Sequence, residues 1–534
     1  MRRSYDAVII GGGHNGLVCA AYLAARGWSV RVLERRAMVG GAAVTEEFHP
    51  GFRNSTASYT VSLLHPNVIR DLKLVEHGLR VVERPFSNFL PLGDAECIKV
   101  GGGLEATQSE VARFSRRDAE RLPQYYAMLE GVAAVLKDLL LETPPNLGGG
   151  IRDWFQVLKV GKRFKALDMP VRRDVLELFT KSAGDLLDQW FESDPIKACF
   201  GFDSVVGNFA SPYMAGTAYV LLHHVFGEVN GKPGIWGHAI GGMGAITAAM
   251  AKEAVLRGVE ITTDAAVASV MLRDSAQGSE AGGVVLEDGT EIFAKTIVSN
   301  LNPKLLFQTL VDPLKLPADF ARRIDAYKCA SGTFRMNVAL SELPRFTCLP
   351  TEGPGPHHSS GIIMAPSLRY MEQAYFDARR SGWSARPIVE MLIPSTVDDS
   401  LAPPGKHVAS LFCQHVMPVL PHGKSWDEAR EQVGEVMLDC IDGYAPNFKA
   451  SVIGREIHTP LDLERKFGLV GGDIFHGTLS LDQLFSARPV LGYGDYRTPI
   501  RRLYQCGSGT HPGGGVTGIP GHNAAREILR DKLR

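Results

Sequence analysis

Tyr5-Asp6-Ala7-Val8-Ile9-Ile10 runs directly into Gly11-Gly12-Gly13-His14-Asn15-Gly16, and no other stretch of the 534 residues restricts the fold so sharply. Val8 to Ile10 read as a buried parallel strand, Leu17 to Ala25 as an Ala-rich helix, and Ser29 to Leu33 as a second strand. Gly11 permits the tight turn, Gly13 lets backbone approach a pyrophosphate, and Gly16 lets helix and strand pack closely. The helix start offers free N–H groups and a positive dipole end to phosphate. Glu34 follows 18 residues after Gly16, where a carboxylate accepts ribose hydroxyls and repels a 2′-phosphate. An α/β fold opening on a dinucleotide-binding βαβ unit is expected.

The rest of the chain narrows its class. Length alone predicts about three domain-sized units. A hydrophobic content of 45 % with 22 % charged residues is that of a globular protein, and a net charge of −1 gives no pull toward nucleic acid. The eight cysteines form no C-x-x-C and no metal-ligand spacing, so neither a redox disulfide nor a metal site is expected. Four residues precede the first strand and no run reaches 18 apolar residues, which predicts a cytoplasmic chain without a leader or a transmembrane span.

Gly40-Gly41 follows Glu34 closely and suits a chain passing beside a diphosphate or a plain turn. Residues 108 to 182 carry helical spacing without a cofactor motif. Within them Lys159, Lys162, Arg163, Lys165, Arg172 and Arg173 interleave with Val160, Phe164, Leu167 and Val171, as a solvated helix face or a membrane-resting surface would. From Gly241-Gly242-Met243-Gly244 the α/β pattern returns. A helix from 245 to 257 is followed by strands at 259–262, 265–272, 283–286 and 291–293, the last two joined by Asp288-Gly289, and by a further strand at 296–300. Residues 306–484 read as a second, sheet-containing unit. His223-His224 read as satisfied core histidines or as acid–base groups, and Trp190, Tyr213 and Trp236 as core packing or tunnel lining.

Near the end, the strand Leu503–Cys506 leads into Gly507-Ser508-Gly509-Thr510-His511-Pro512-Gly513-Gly514-Gly515, and a helix is expected over 522–530. Gly513, Gly515 and Gly518 repeat the G-x-G-x-x-G spacing, but too few residues remain for a second βαβ unit. The loop is better read as closing over the same cofactor. A grip at both ends of the chain points to a long dinucleotide, FAD.

Together with Glu34-Arg35-Arg36, Gly40-Gly41, Gly241-Gly242-Met243 and Val298-Ser299-Asn300, these segments resemble the phytoene desaturase-like flavoproteins, the carotenoid and retinoid oxidoreductase group. The resemblance implies a Rossmann-type FAD-binding domain over 1–105, 236–305 and 485–534, with a discontinuous mixed-sheet and helical substrate domain over 106–235 and 306–484. It implies Gly11, Gly13, His14, Asn15 and Gly16 at the diphosphate, Glu34 at the ribose with Arg35 nearby, Gly40 and Gly41 beside them, and Val267 by the adenine. Gly507, Gly509, His511, Gly515, Val516, Gly518 and Asn523 would lie by the isoalloxazine and ribityl chain. Many relatives carry Arg where Ala42 stands here, so a phosphate contact from that position is lost.

The implied reaction is hydride transfer to flavin N5 during desaturation, saturation or isomerisation of C–C/C=C bonds in a hydrophobic, polyene or isoprenoid substrate. The electron acceptor stays open among oxygen, quinone and NAD+, as does the oligomeric state. Amine oxidase-type C–N oxidation and a FAD-stabilised regulatory protein are the alternatives. No nucleophile–base pair or metal cluster is legible, and His511 is the one catalytic candidate.

Overall fold

In the computed structural model, which describes residues 4–532 apart from 94, 147–149, 277 and 352, two seven-stranded sheets organise the chain. The first holds β1 (Ser4–Ile10) and β2 (Val30–Leu33), linked by helix α1 (His14–Ala24). The second receives β3 (Asn88–Pro91) and β4 (Cys97–Val100) on one edge. The first sheet is completed by β5 (Glu260–Thr262), β6 (Val267–Ser275), β7 (Gly278–Leu286), β8 (Glu291–Ser299) and, from the far end of the chain, Leu503–Gln505. Its order is β5-β2-β1-β8-β7-β6. Parallel strands buried on both faces explain the apolar run Ala7–Ile10 of β1 and the full burial of β2, where Arg31 interrupts the apolar residues and its Nε donates to Thr262 Oγ1 (3.1 Å).

One strand does two tasks. The first half of β8 pairs antiparallel with β7 through the Asp288-Gly289 hairpin, while its second half runs parallel to Leu503–Gln505 on that same edge. The sequence reading split this strand into 291–293 and 296–300; the structure makes it continuous because one face is buried throughout. Its other edge pairs with β1, ending at Ile10 opposite Ser299, and Ser299 also faces Gln505. Three strand ends therefore finish side by side, delivering Gly11, Asn300 and Gly507 to one rim.

The second sheet adds β9 (Phe334–Leu340), β10 (Gly361–Met364), β11 (Trp383–Leu392), β12 (His407–Val416) and β13 (Val452–His458), in the order β13-β9-β12-β11-β10-β3-β4. Residues 88–100, read as part of the 1–105 dinucleotide unit, hydrogen-bond onto this sheet. Helix α2 (Arg116–Leu140) shares a hydrophobic core with this sheet, to which α3 (Ile151–Ala166) contributes no described residue, whereas α4 (Met169–Thr180), α5 (Asp194–Phe202) and α6 (Thr217–Val225) join it. Helix α7 (Met243–Leu256) packs with α1, and the terminal α8 (Ile519–Lys532) lies along α1 as well. Helix α8 starts before the expected residue 522, directly after Gly518, whose φ of +74° permits the sharp entry.

Candidate functional site

Helix α1 begins on Gly13, which supplies no side-chain cap, so its first amides point to the rim. A Cβ on Gly13 would lie 2.6 Å from Asn300 Nδ2, and one on Gly16 2.3 Å from the Gly11 carbonyl oxygen. Those two glycines are sterically required. Gly40 N–H donates to the Gly12 carbonyl (2.8 Å), seating Gly40 and Gly41 against the turn; a Cβ on Gly41 would sit 3.2 Å from Gly13 Cα. Ala42 follows half-buried, its methyl without a charge to offer phosphate.

Glu34 is buried at the end of β2. Its Oε2 accepts the Gly12 N–H (2.8 Å) and its Oε1 the Arg36 N–H (2.9 Å), which fixes the carboxylate while each oxygen keeps a lone pair for a hydroxyl. Arg35 points away: it is exposed and its Nη2 donates to the Arg465 carbonyl (2.9 Å). Val267 opens β6, opposite Leu286, and Ala265 N–H donates to the Glu34 carbonyl (2.9 Å), which keeps that strand start beside Glu34.

The C-terminal loop packs onto the same rim. Cβ atoms on Gly507 and Gly509 would lie 2.6 Å from the Asn300 carbonyl oxygen and 2.3 Å from Pro303 Cδ. Asn15 Nδ2 donates to Ser508 Oγ (3.1 Å). Gly515 and Val516 hold φ of +114° and +57°; the latter is strained for a β-branched residue, and such strain collects where a loop is shaped for a ligand. His511 is buried, its Nε2 bonds to the Leu139 carbonyl at the end of α2 (3.3 Å), and burial lowers its pKa to about 4. It is a neutral tie rather than a poised acid. Asn523 is likewise engaged, donating to the Leu140 carbonyl and the Tyr496 hydroxyl (3.0 and 2.9 Å).

Sequence reasoning missed Arg488. Fully buried, it donates to the carbonyls of Phe475 (2.7 Å), Gly477 (3.2 Å), Thr478 (3.3 Å), Gln483 (3.2 Å) and Ser508 (2.9 Å). A lone Arg before Pro489 carries no periodic signal. Its guanidinium is spent on backbone carbonyls, and it braces the loop.

Four buried polar atoms around this rim have no hydrogen-bond partner among the described residues: His14 Nε2, Asn15 Oδ1, His223 Nε2 and His476 Nδ1. His14 and His476 lie within electrostatic reach of each other, and His223 Nε2 would be 3.6 Å from a Cβ on Gly515. Buried polar atoms are ordinarily satisfied, so such a cluster facing a glycine-lined cradle fits a polar cofactor edge. The residues present therefore fit an adenine dinucleotide.

Two cavities flank α6. The inner one, about 340 Å³, is lined by His65, Lys137, His223, Phe226, Pro512 and Thr517, so it opens on the C-terminal loop. The outer, about 570 Å³, is lined by Tyr125, Leu129, Phe200, Asp203, His224 and Trp236 and shares Lys137. Of the aromatic tunnel candidates, Trp236 lines this outer space, Trp190 packs edge-on to Tyr125 (5.7 Å), and Tyr213 is exposed on Asp188. His224 stacks on Trp236 and bonds the Val220 carbonyl (2.8 Å). Asp203 shares this lining with one other acid, the exposed Glu130; burial first, then the Glu390 charge, raise the Asp203 pKa to about 8 against an opposing Arg84. A hollow of about 770 Å³ lined by Asp6, Trp28, Arg497 and Lys532 sits by the starts of the first-sheet strands, the end away from ligands in such folds.

The flavin containing amine oxidoreductase family matches residues 16–334. A rat protein, pyridine nucleotide-disulfide oxidoreductase domain-containing protein 2, is 41 % identical over 99 % of this chain and 94 % of its own. A limonene dehydrogenase chain from Castellaniella defragrans is 26 % identical over 98 % of this chain and 94 % of its own. Among solved structures, an oxidoreductase from Methanosarcina mazei superposes with a TM-score of 0.62 at 17 % identity, covering 98 % of this chain and 99 % of that one.

Proposed function

Because the chain belongs to the flavin-containing amine oxidoreductase family and is a FAD-dependent oxidoreductase, we propose that it acts on carbon–carbon bonds of an apolar, isoprenoid-like substrate. The observation that carries this reading is the pair of cavities on either side of α6, whose exposed lining is more apolar than polar despite Lys137 in both, Glu228 in the inner and Asp203 and Glu130 in the outer, the inner one touching Pro512 and Thr517. Likeness to a protein named for limonene, a hydrocarbon, supports the substrate class.

FAD, when bound, supplies the two-electron acceptor. The chain supplies position and dryness. The α1 amides and the Gly13–Gly41 approach hold a diphosphate, Glu34 accepts ribose hydroxyls, and the loop from Gly507 to Val516 with Gly518 frames the remainder. His14, Asn15, His223 and His476 offer their unpartnered atoms to polar edges. Apolar walls around Leu129, Phe200 and Phe226 exclude water and orient a ligand by shape. His223 and His224 are held neutral by burial, at about 3 and about 4, so neither carries a ready proton.

Amine oxidation is the second reading. Asp203 among aromatic rings would suit an ammonium group, yet below about pH 8 its carboxyl is uncharged, and no aromatic residue lies between Cys506 and Gly521. Lipid extracts of a deletion strain test the proposal. An apolar compound should accumulate relative to wild type and disappear on complementation, whereas accumulation confined to polar amines supports the second reading instead.

A further inference from the structure

Helix α3 turns its largest apolar side chains outward. At about 100° per residue, Trp154, Phe155, Leu158, Lys162 and Lys165 fall on one stripe, and Asp153, Gln156, Val157 and Val160 on the opposite one. The opposite stripe is the half-buried one, so a carboxylate and an amide face the protein. Outward, Trp154 and Phe155 are each 66 % exposed and Leu158 is 64 % exposed. On the next helix, α4, Met169 and Leu176 are also exposed, by 52 % and 62 %.

Large aromatics on a solvent face cost stability unless something covers them. The charges say what. Lys159 and Arg163 both reach Glu142 (3.0 Å each), anchoring the helix to the segment after α2. Lys162 and Lys165 have no carboxylate partner among the described residues and extend the same stripe as Trp154 and Leu158. Apolar bulk ending in free ammonium groups matches a bilayer whose headgroups are anionic. Charge complementarity favours that surface over a second copy of the chain, whose matching stripe carries the same lysines and no carboxylate to meet them. Spanning is excluded for this helix: its 16 residues reach about 24 Å, and no described helix is long and apolar enough to cross a membrane.

We infer that the outward face of α3, with Met169 and Leu176 of α4, docks the protein in plane on an anionic lipid surface, Trp154, Phe155 and Leu158 entering the headgroup layer and Lys162 and Lys165 contacting lipid phosphates. The inference is independent of the substrate reading, since it rests on surface residues remote in sequence from the cofactor loops. It revises the reading of the basic run: the lysines set lipid preference, and the aromatic stripe supplies the hold.

Sedimentation of the purified holoprotein with vesicles tests it. Binding is expected to vesicles containing phosphatidylglycerol, to weaken as salt rises, and to be at least tenfold weaker to pure phosphatidylcholine. W154S/F155S/L158S should lower binding to both vesicles by tenfold or more, and K162E/K165E should erase the preference for phosphatidylglycerol. Retained flavin colour and an unchanged melting temperature show that the variants are folded. Absence of binding by the wild-type protein, or unchanged binding by the folded triple variant, overturns the proposal. So does a dimer of the wild type that the triple variant converts to monomer, which would assign the face to a second copy.

Discussion

Asn15 donates through Nδ2 to Ser508 Oγ at 3.1 Å, joining the first turn of the first helix to a loop 493 residues later. Both groups are buried, and Asn15 Oδ1 remains without a hydrogen-bond partner among the described residues. The bond holds two cofactor loops in one register while leaving an acceptor facing the cradle. Asn15→Leu should strand the Ser508 hydroxyl, cost about 1–3 kcal/mol, and lower flavin content; Ser508→Ala should cost less, because Asn15 keeps its other atoms available. FAD released per chain on denaturation measures both.

Glycine substitutions separate space from conformation. Gly16→Ala puts a methyl 2.3 Å from the Gly11 carbonyl oxygen, and Gly507→Ala puts one 2.6 Å from the Asn300 carbonyl oxygen. Neither neighbour is a flexible side chain, so both variants should be colourless or insoluble. Gly131→Ala, inside α2 with open space at its Cβ, should instead stabilise by about 0.5–1 kcal/mol. Expression, visible absorbance and melting temperature distinguish the three.

Arg488 braces the C-terminal loop through five carbonyls. Arg488→Met would leave those acceptors unpaired in the interior and should destabilise by at least about 3 kcal/mol. Arg488→Lys keeps charge but loses the fork, and should fall between wild type and Met in a thermal melt.

Acid should unfold this protein early. Burial holds the imidazoles of His14 and His223 at about 3 and those of His476 and His511 at about 4. In the unfolded chain they titrate near 6.5, so below that pH the unfolded state binds more protons than the native one. Their contribution is complete above about pH 6.5 and is lost as pH falls toward 4, by up to about 1.4 kcal/mol per unit for each imidazole. Melting temperature should fall steeply from pH 6.5 to 5, and His14→Gln should flatten that slope; a level wild-type profile would contradict the burial of these rings.

Asp203 gives the outer cavity its own pH response. Its carboxyl, raised to about 8, is neutral at pH 7 and charged at pH 9. Ionisation puts a charge into an apolar space, so affinity for a hydrocarbon probe such as limonene should drop between these values. The raised pKa also means that native stability from this group is full below about pH 4 and is lost progressively as pH rises to about 8, with no further loss above. Asp203→Asn should bind equally at both pH values, as read by quenching of Trp236 fluorescence relative to Trp236→Phe.

Much of the nucleotide end was legible because it is local. The Gly11–Gly16 turn, Glu34 and the strand and glycine loop after Leu503 each obey rules acting over a few residues. What brings them together is not local: β8 shares one edge between β7 and Leu503–Gln505, and Asn300 abuts glycines at both chain ends. Arg35 carried a role by proximity in sequence, whereas its long side chain reaches the Arg465 carbonyl at the surface. Asp203 and Arg488 have no periodic or spacing signature; their meaning comes from burial. The sequence reading of this stretch rested on its basic residues with Val160, Phe164, Leu167 and Val171 and passed over Trp154, Phe155 and Leu158, which only the tertiary position of α3 shows to face outward.

One FAD, held by the loops at Gly13 and Gly513, is expected to face a space suited to apolar carbon chains. Anaerobic titration of the purified holoprotein, following the visible flavin band, tests it most directly. Bleaching by fractions of a lipid extract from the source cells, with no bleaching by a panel of primary amines and polyamines, is the predicted result. Bleaching by the amines and none by the lipid fractions would contradict the account.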